Sequence, residues 1–221
     1  MSYLGQYPIQ TDRSFTGVVQ ANDLLELKRN GSYPSSNWDC LYADAYGTND
    51  DNLGYEYIYS LPTAYDIFYF VWGAVNFVPT GTQSNGALGF QFSEDNGSTF
   101  ITSSYYHERL WGNQSSTGIN TSGGGSASFI SPAFNWGLYT TPLMANLQGY
   151  IFNANTNKPT MIKGTNVERD TNGLGMYVDW IGTYNSSNVT TDIKFMNSKL
   201  GATGSEMHCE ITIWGYKHRA K

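Results

Sequence analysis

The sequence predicts an all-β protein, an antiparallel β-sandwich or jelly roll with an extended N-terminal arm. Three observations predict it. Charged residues make up 14% of the 221, where about 25% is usual, and 24 glycines, 17 tyrosines and an aromatic share of 15% favour pleated strands joined by many turns. The apolar residues recur with a period of two in several stretches, and no amphipathic helix of ordinary length is found. Turn residues punctuate the chain about every ten positions, as in sandwiches. A chain of this length buries roughly 70% of its unfolded surface, enough for a core of its own.

Taken in order, residues 1–21 show no sustained period and are expected to form an arm, with residues 22–221 as the sandwich domain. NDLLELKR (22–29) alternates Leu25 and Leu27 with Glu26 and Lys28 as a strand does, although Asn22 or Asp23 could also cap a short helix. GSYPSSNWDC and YGTNDDNLG are rich in turn residues and read as loops. YEYIYSL is a strand, Pro62 a turn, and AYDIFYFVWGAVNFVP an apolar run too long for one short strand. ALGFQFS places Leu88, Phe90 and Phe92 on one face. Asn96-Gly97 suits a hairpin turn whose central residues need positive φ, with STFITSSYY pairing back. The polar stretch from Ser103 to Ser128, with glycines at 123–125, is expected to be an exposed, mobile loop.

The second half continues in this style. FISPAF and LQGYIFN are strand-like, NTNKP is a turn and TMIKG a strand. GMYVDWIGTY alternates Met176, Val178 and Trp180 against Tyr177, Asp179 and Ile181. TDIKFM and GSEMHCEITIWGYK close the series. In the last, Met207, Cys209, Ile211 and Ile213 share one parity, backed by His208, Glu210, Thr212 and Trp214. Cys209 on the apolar parity is expected to be a buried free thiol rather than half of a bridge to Cys40.

Motifs that carry chemistry are sparse. HERLW at 107–111 lacks the second histidine of a zinc helix. Gly123-Gly124-Gly125 is followed by no Lys-Ser or Lys-Thr, so it is no phosphate cradle, and there is no GxSxG elbow. A Ser-His-Asp triad would have to draw on His107 or His208. The acids Asp50-Asp51 and Glu94-Asp95 sit beside turn residues, where they are expected to serve loop geometry rather than catalysis. No catalytic residue, cofactor or metal is expected, and the protein is read as not an enzyme. Exposed aromatics are more suggestive. Tyr105, Tyr106 and Trp111 lie in or beside the long polar stretch, and flat rings with hydrogen-bonding neighbours suit sugars and protein surfaces. The bland alternative is that they fold down over the sandwich edge.

A net charge of −6 speaks against nucleic acid, whose phosphates need clustered Lys and Arg; the only basic cluster, Lys217 to Lys221, reads as a solvated tail. No run approaches the roughly 20 apolar residues of a membrane-spanning helix, and MSYLGQYPIQTDR has neither the basic nor the apolar region of a signal peptide, so synthesis in a cytoplasm is expected. The six Asn-x-Ser/Thr sequons, at Asn30, Asn96, Asn113, Asn120, Asn185 and Asn188, are then attributed to an Asn-rich chain.

LLEL, YDIFYFVWGAVNFVPTG, LGFQFSEDNGSTF, a Gly/Ser-rich segment, LQGYIFNANT and DIKFMNSKLGATGSEMHCEITIWGYK, taken together and in this order, resemble a family of tailed-phage virion proteins of the type found in marine phages. The family's F-S-x-D-x-G-S-x-[FY] hairpin corresponds to Phe92–Phe100 and its I-x-[IL]-[WY]-G ending to Ile211–Gly215. The opening MSYLG is similar to the N-termini of some tail-fibre proteins, which implies an attachment arm with Tyr3, Leu4, Tyr7 and Pro8. The chain departs from the family in a long insertion-like loop over 30–54. The resemblance implies a β-sandwich virion component, assembled in the host cytoplasm as a homo-oligomer, a trimer by preference. Its partners would be other tail or capsid proteins and a host-surface glycan. The first expectation is a tail fibre or appendage with a role in host attachment, and the alternative is a capsid decoration protein. An alternative of another class is a carbohydrate-binding module or glycan depolymerase.

Overall fold

The computed structural model describes residues 38–46, 56–65, 67–79, 88–113, 118–132, 143–169, 175–197 and 205–216. They belong to the unit that runs from Asp39 to Lys221, with Trp38 one residue ahead of it. Among them are eleven strands and no helix: β1 (Trp38–Tyr46), β2 (Glu56–Ser60), β3 (Ile67–Pro79), β4 (Leu88–Ser93), β5 (Tyr105–Asn113), β6 (Asn120–Ala127), β7 (Leu143–Phe152), β8 (Thr160–Arg169), β9 (Gly175–Tyr184), β10 (Asp192–Asn197) and β11 (Ser205–Tyr216).

They form an eight-stranded sheet, ordered β1-β11-β3-β7-β8-β9-β5-β6, and a three-stranded sheet, ordered β2-β10-β4. Pairings from β11 through β6 in the first sheet, and both pairings in the second, are antiparallel. The expected antiparallel sandwich is therefore met. The order does not establish the jelly-roll alternative.

The core lies between the sheets and is aromatic. Phe90 of β4 stacks on Trp180 of β9 with ring centroids 5.5 Å apart. It also meets Phe70 and Trp72 of β3 and Phe195 of β10 edge-on, at 5.4, 5.8 and 5.4 Å. Each such pair contributes about 0.5–1.5 kcal/mol beyond the apolar area it buries. Room for these rings comes from two facing glycines. Phe70 is in register with Gly149, Gly149 with Gly164, and Gly164 with Trp180. A methyl on Gly149 would strike the Phe70 ring, and one on Gly164 the Trp180 ring.

The period-two readings hold where one face is buried. On β9 Met176, Val178 and Trp180 are buried while Tyr177 and Ile181 are exposed; on β11 Cys209, Ile211 and Ile213 are buried and Glu210 is exposed. Both cysteines are free, Cys209 buried and Cys40 exposed.

Three expectations are corrected. Trp38–Tyr46 is a strand, although it was expected to lie in loops; it finds its place at the edge of the large sheet, beside β11. AYDIFYFVWGAVNFVP, read as too long for one short strand, supplies one long strand of 13 residues, with a register irregularity between Trp72 and Val75. The segment after Gly97 does not form a second strand beside β4. Ile101 N–H bonds the Phe92 carbonyl at 3.0 Å, and the chain then crosses to the large sheet as β5, while β10 takes the place beside β4. The turn itself is as expected, with Asn96 at φ 57° and Gly97 at φ 77°. Finally, the polar stretch 103–128 is not simply a loop: Tyr105–Asn113 and Asn120–Ala127 within it pair as β5 and β6 at the sheet edge, with all nine residues of β5 in register with β9. The arm over 1–21, with Tyr3, Leu4, Tyr7 and Pro8, the segment 22–29 and Asp50-Asp51 lie outside the described residues.

Candidate functional site

Alternation along β5, β7, β8 and β9 sends one set of side chains into the core and the other outward. Of the nine large apolar side chains exposed among the described residues, seven stand on this outward face: Tyr106, Leu110, Tyr150, Met161, Val167, Tyr177 and Ile181. A monomeric surface scatters such residues singly; concentration on one face marks a contact surface.

Register organises the face into rows that run across the strands. Gly123, Glu108, Ile181, Lys163, Tyr150, Tyr69 and Trp214 form one row over seven strands. Thr121, Leu110, Asp179, Thr165, Gln148, Val71 and Thr212 form the next. Tyr106, Thr183, Met161 and Phe152 lie on the other side. The β3-β7-β11 part is an aromatic ladder. Tyr69 lies 5.0 Å from Tyr150 and 5.3 Å from Trp214, and Tyr150 lies 6.1 Å from Phe152. The Tyr69 hydroxyl donates to Gln148 Oε1 at 2.9 Å, which fixes the ring. Burial, with the neighbouring Tyr150, pushes the Tyr69 phenol above its ordinary value.

The β6-β5-β9-β8 part is concave. A trough of about 720 Å³ is lined by Glu108, Leu110, Thr121, Lys163, Asp179 and Ile181, among others. A second, of about 440 Å³, shares Glu108, Gly123 and Ile181 with the first and continues to Tyr106, Gly125 and Thr183. The hollow has a simple origin. Gly123 and Gly125 on β6 present no side chain, and a methyl on Gly125 would already touch the Tyr106 ring at 3.5 Å. Glu108 and Asp179 occupy diagonal positions of the β5-β9 ladder, because Glu108 is in register with Ile181 and Leu110 with Asp179. Such neighbours are about 7–8 Å apart, within reach of a common ligand.

Of the three aromatics singled out from the sequence, Tyr106 is 46% exposed and lines this trough. Tyr105 does not belong on a contact surface. It has the opposite parity on β5 and is fully buried, and its hydroxyl accepts the Phe92 N–H at 2.7 Å. Trp111 shares that parity and packs against the core, as the bland alternative held. Glu94 and Asp95 serve the turn. Asp95 accepts from Thr99 N, Thr99 Oγ1 and Ser93 Oγ at 2.8, 2.6 and 2.7 Å. Glu94 accepts from Tyr184, Ser186 and Asn188 at 2.7, 2.6 and 2.8 Å.

His107 faces inward, where burial and then the nearby Arg109 hold its pKa below the ordinary value. The side chain of His208 is outside the described residues. Among the described residues, no group of three or more His, Cys, Asp or Glu is placed to hold a metal ion. Comparison with protein-family models, curated proteins and solved structures finds no match to the chain.

Proposed function

We propose that the protein is a structural and adhesive component of a tailed-phage virion, part of a tail fibre or appendage that meets the host surface. Its place on a particle rests on the sequence resemblance, above all the Phe92–Phe100 and Ile211–Gly215 motifs. The adhesive role rests on one structural observation, the gathering of seven exposed large apolar side chains on the outward face of the eight-stranded sheet. In this reading the chain assembles as a homo-oligomer, a trimer by preference, with residues 1–21 as its attachment arm. A capsid decoration role would use the same face against shell subunits.

Quantitative mass spectrometry of purified particles tests the proposal. A few to a few dozen copies per particle favour the tail, hundreds favour the shell, and absence from particles overturns the virion reading. A second reading has its own observation: Glu108 and Asp179 line one trough, as a glycan-binding or glycan-cleaving sandwich requires. Incubation with host polysaccharide separates the two activities. Chains of unchanged length are expected, and shortened chains would make the protein a depolymerase.

A further inference from the structure

We propose that the trough over β5 and β9 binds a short length of neutral saccharide chain lying along the strands; this rests on the adhesive reading and names its ligand. The two hollows join end to end through Glu108, Gly123 and Ile181. From the Leu110 position to the Tyr106 position on β5 is four residues, roughly 14 Å at the rise of a strand. That is a length for two or three sugar rings.

The chemistry along it is of the kind a sugar needs. Tyr106, exposed at one end, offers a flat ring for the apolar face of a pyranose. Glu108 and Asp179 are acceptors on neighbouring strands, placed to take two hydroxyl protons from one or adjacent rings. Lys163, in register with Ile181 on the other flank, is a donor for a ring or hydroxyl oxygen. Gly123 and Gly125 let the chain approach the backbone of β6. Charge decides the class of sugar. Of the charged residues that line the trough, Glu108, Asp179 and Lys163 stand on the outward parity, two acids and one base, whereas the Arg109 guanidinium turns away to Ser131 Oγ at 3.4 Å. A uronate or sulfated chain would bring its anions against an excess of carboxylate; a neutral chain would not.

Saturation-transfer NMR and titration of the full chain with neutral malto- and cello-oligosaccharides of two to four rings, and with oligogalacturonate of equal length, test this. Binding of at least one neutral series is expected, and none of the uronate. Glu108→Gln, Asp179→Asn and Tyr106→Ala should each weaken it about tenfold or more, the scale of one lost charge-assisted or stacking contact. Ile58→Ala, on the small sheet, should leave it unchanged, and circular dichroism of each variant checks folding. Preference for the uronate, no binding of either neutral series, or indifference to all three trough variants would overturn the proposal.

Cell-binding assays keep the two readings apart. Wild-type and Glu108→Gln proteins that adhere equally to host cells would leave adhesion standing and remove the trough from it; no adhesion by either would remove the adhesive reading itself. Should a second copy occupy the face instead, Leu110→Asp would lower the oligomeric state with no saccharide signal in the wild type, which also overturns the proposal.

Discussion

The backbone N–H of Phe92 on β4 donates to the Tyr105 hydroxyl of β5 at 2.7 Å, a hydrogen bond from one sheet of the sandwich to the other in a fully buried place. Tyr105→Phe removes the acceptor and leaves the N–H dry. The expected loss is about 1–3 kcal/mol, read as a lowered urea midpoint at unchanged slope. Tyr106→Phe, one residue on and exposed, should stay within about 0.5 kcal/mol of wild type. Equal effects would mean that the bridge contributes nothing.

Gly164 offers a sharper steric test. A methyl there would overlap the Gln148 carbonyl oxygen and the Trp180 ring, whereas Gly118 has nothing within 4 Å of the same added atom. Gly164→Ala should destabilise by about 1–3 kcal/mol or more. Gly118→Ala should be close to neutral. Thermal unfolding of the pair checks the contrast, and a tolerated Gly164→Ala would show that β8 and β9 have slack.

Acid should unfold the β4 turn region early. Hydrogen bonds from the Thr99 side chain and backbone, and from Ser93, hold Asp95 down at about 2, against an ordinary 3.8. For Glu94, burial pushes upward, but the bonds from Ser186, Tyr184 and Asn188 outweigh it and keep the carboxyl below its ordinary 4.5. Depressed folded values mean stability that is fully present above the unfolded values and lost as pH falls through the folded ones. The melting temperature should therefore drop between about pH 4.5 and 2, and Asp95→Asn should flatten the lower part of that slope. A flat wild-type profile there would contradict the turn's geometry.

The two thiols should behave differently. Cys40 is exposed, whereas Cys209 is buried and its thiol is pushed up to about 11, chiefly by that burial. Ellman's reagent at pH 8 should titrate one thiol per native chain at once and the second only in denaturant. Two fast thiols would mean that β11 opens readily.

Much of the sandwich was legible in the sequence because a strand with one buried face writes its period locally. Met176, Val178 and Trp180 announced β9, and Cys209, Ile211 and Ile213 announced β11. The β5-β6 pair escaped because NTSGGGSA has almost no intrinsic strand preference; pairing with β5, itself held in register by β9, imposes the conformation. The same holds for the end of the Asn96-Gly97 turn. Its residues fix the reversal, but which strand takes the place beside β4 is decided by β10, about a hundred residues later.

The trough was half visible. Tyr106 was picked out, and Tyr177, Asp179 and Ile181 were read as sharing one parity of their strand. That Glu108, Ile181 and Lys163 share one row is a fact of register between distant strands, which local pattern does not carry.

The strand order also governs when the molecule can come into being on a ribosome. β10 joins β2 to β4, with Ser60 bonded to Asp192 across 132 positions of chain, and β11 lies between β1 and β3. Until synthesis has passed Asp192, β2 and β4 have no common neighbour and Phe90 has no Phe195 to meet; until it reaches Tyr216, one side of β3 stays open. Seven strands of the large sheet are made before β10, but the small sheet cannot assemble, and the large one cannot be completed, until the last two strands have been synthesised. Premature termination anywhere before β10 would release a sticky, unfinished product, a burden for the chaperones of the cell that makes it.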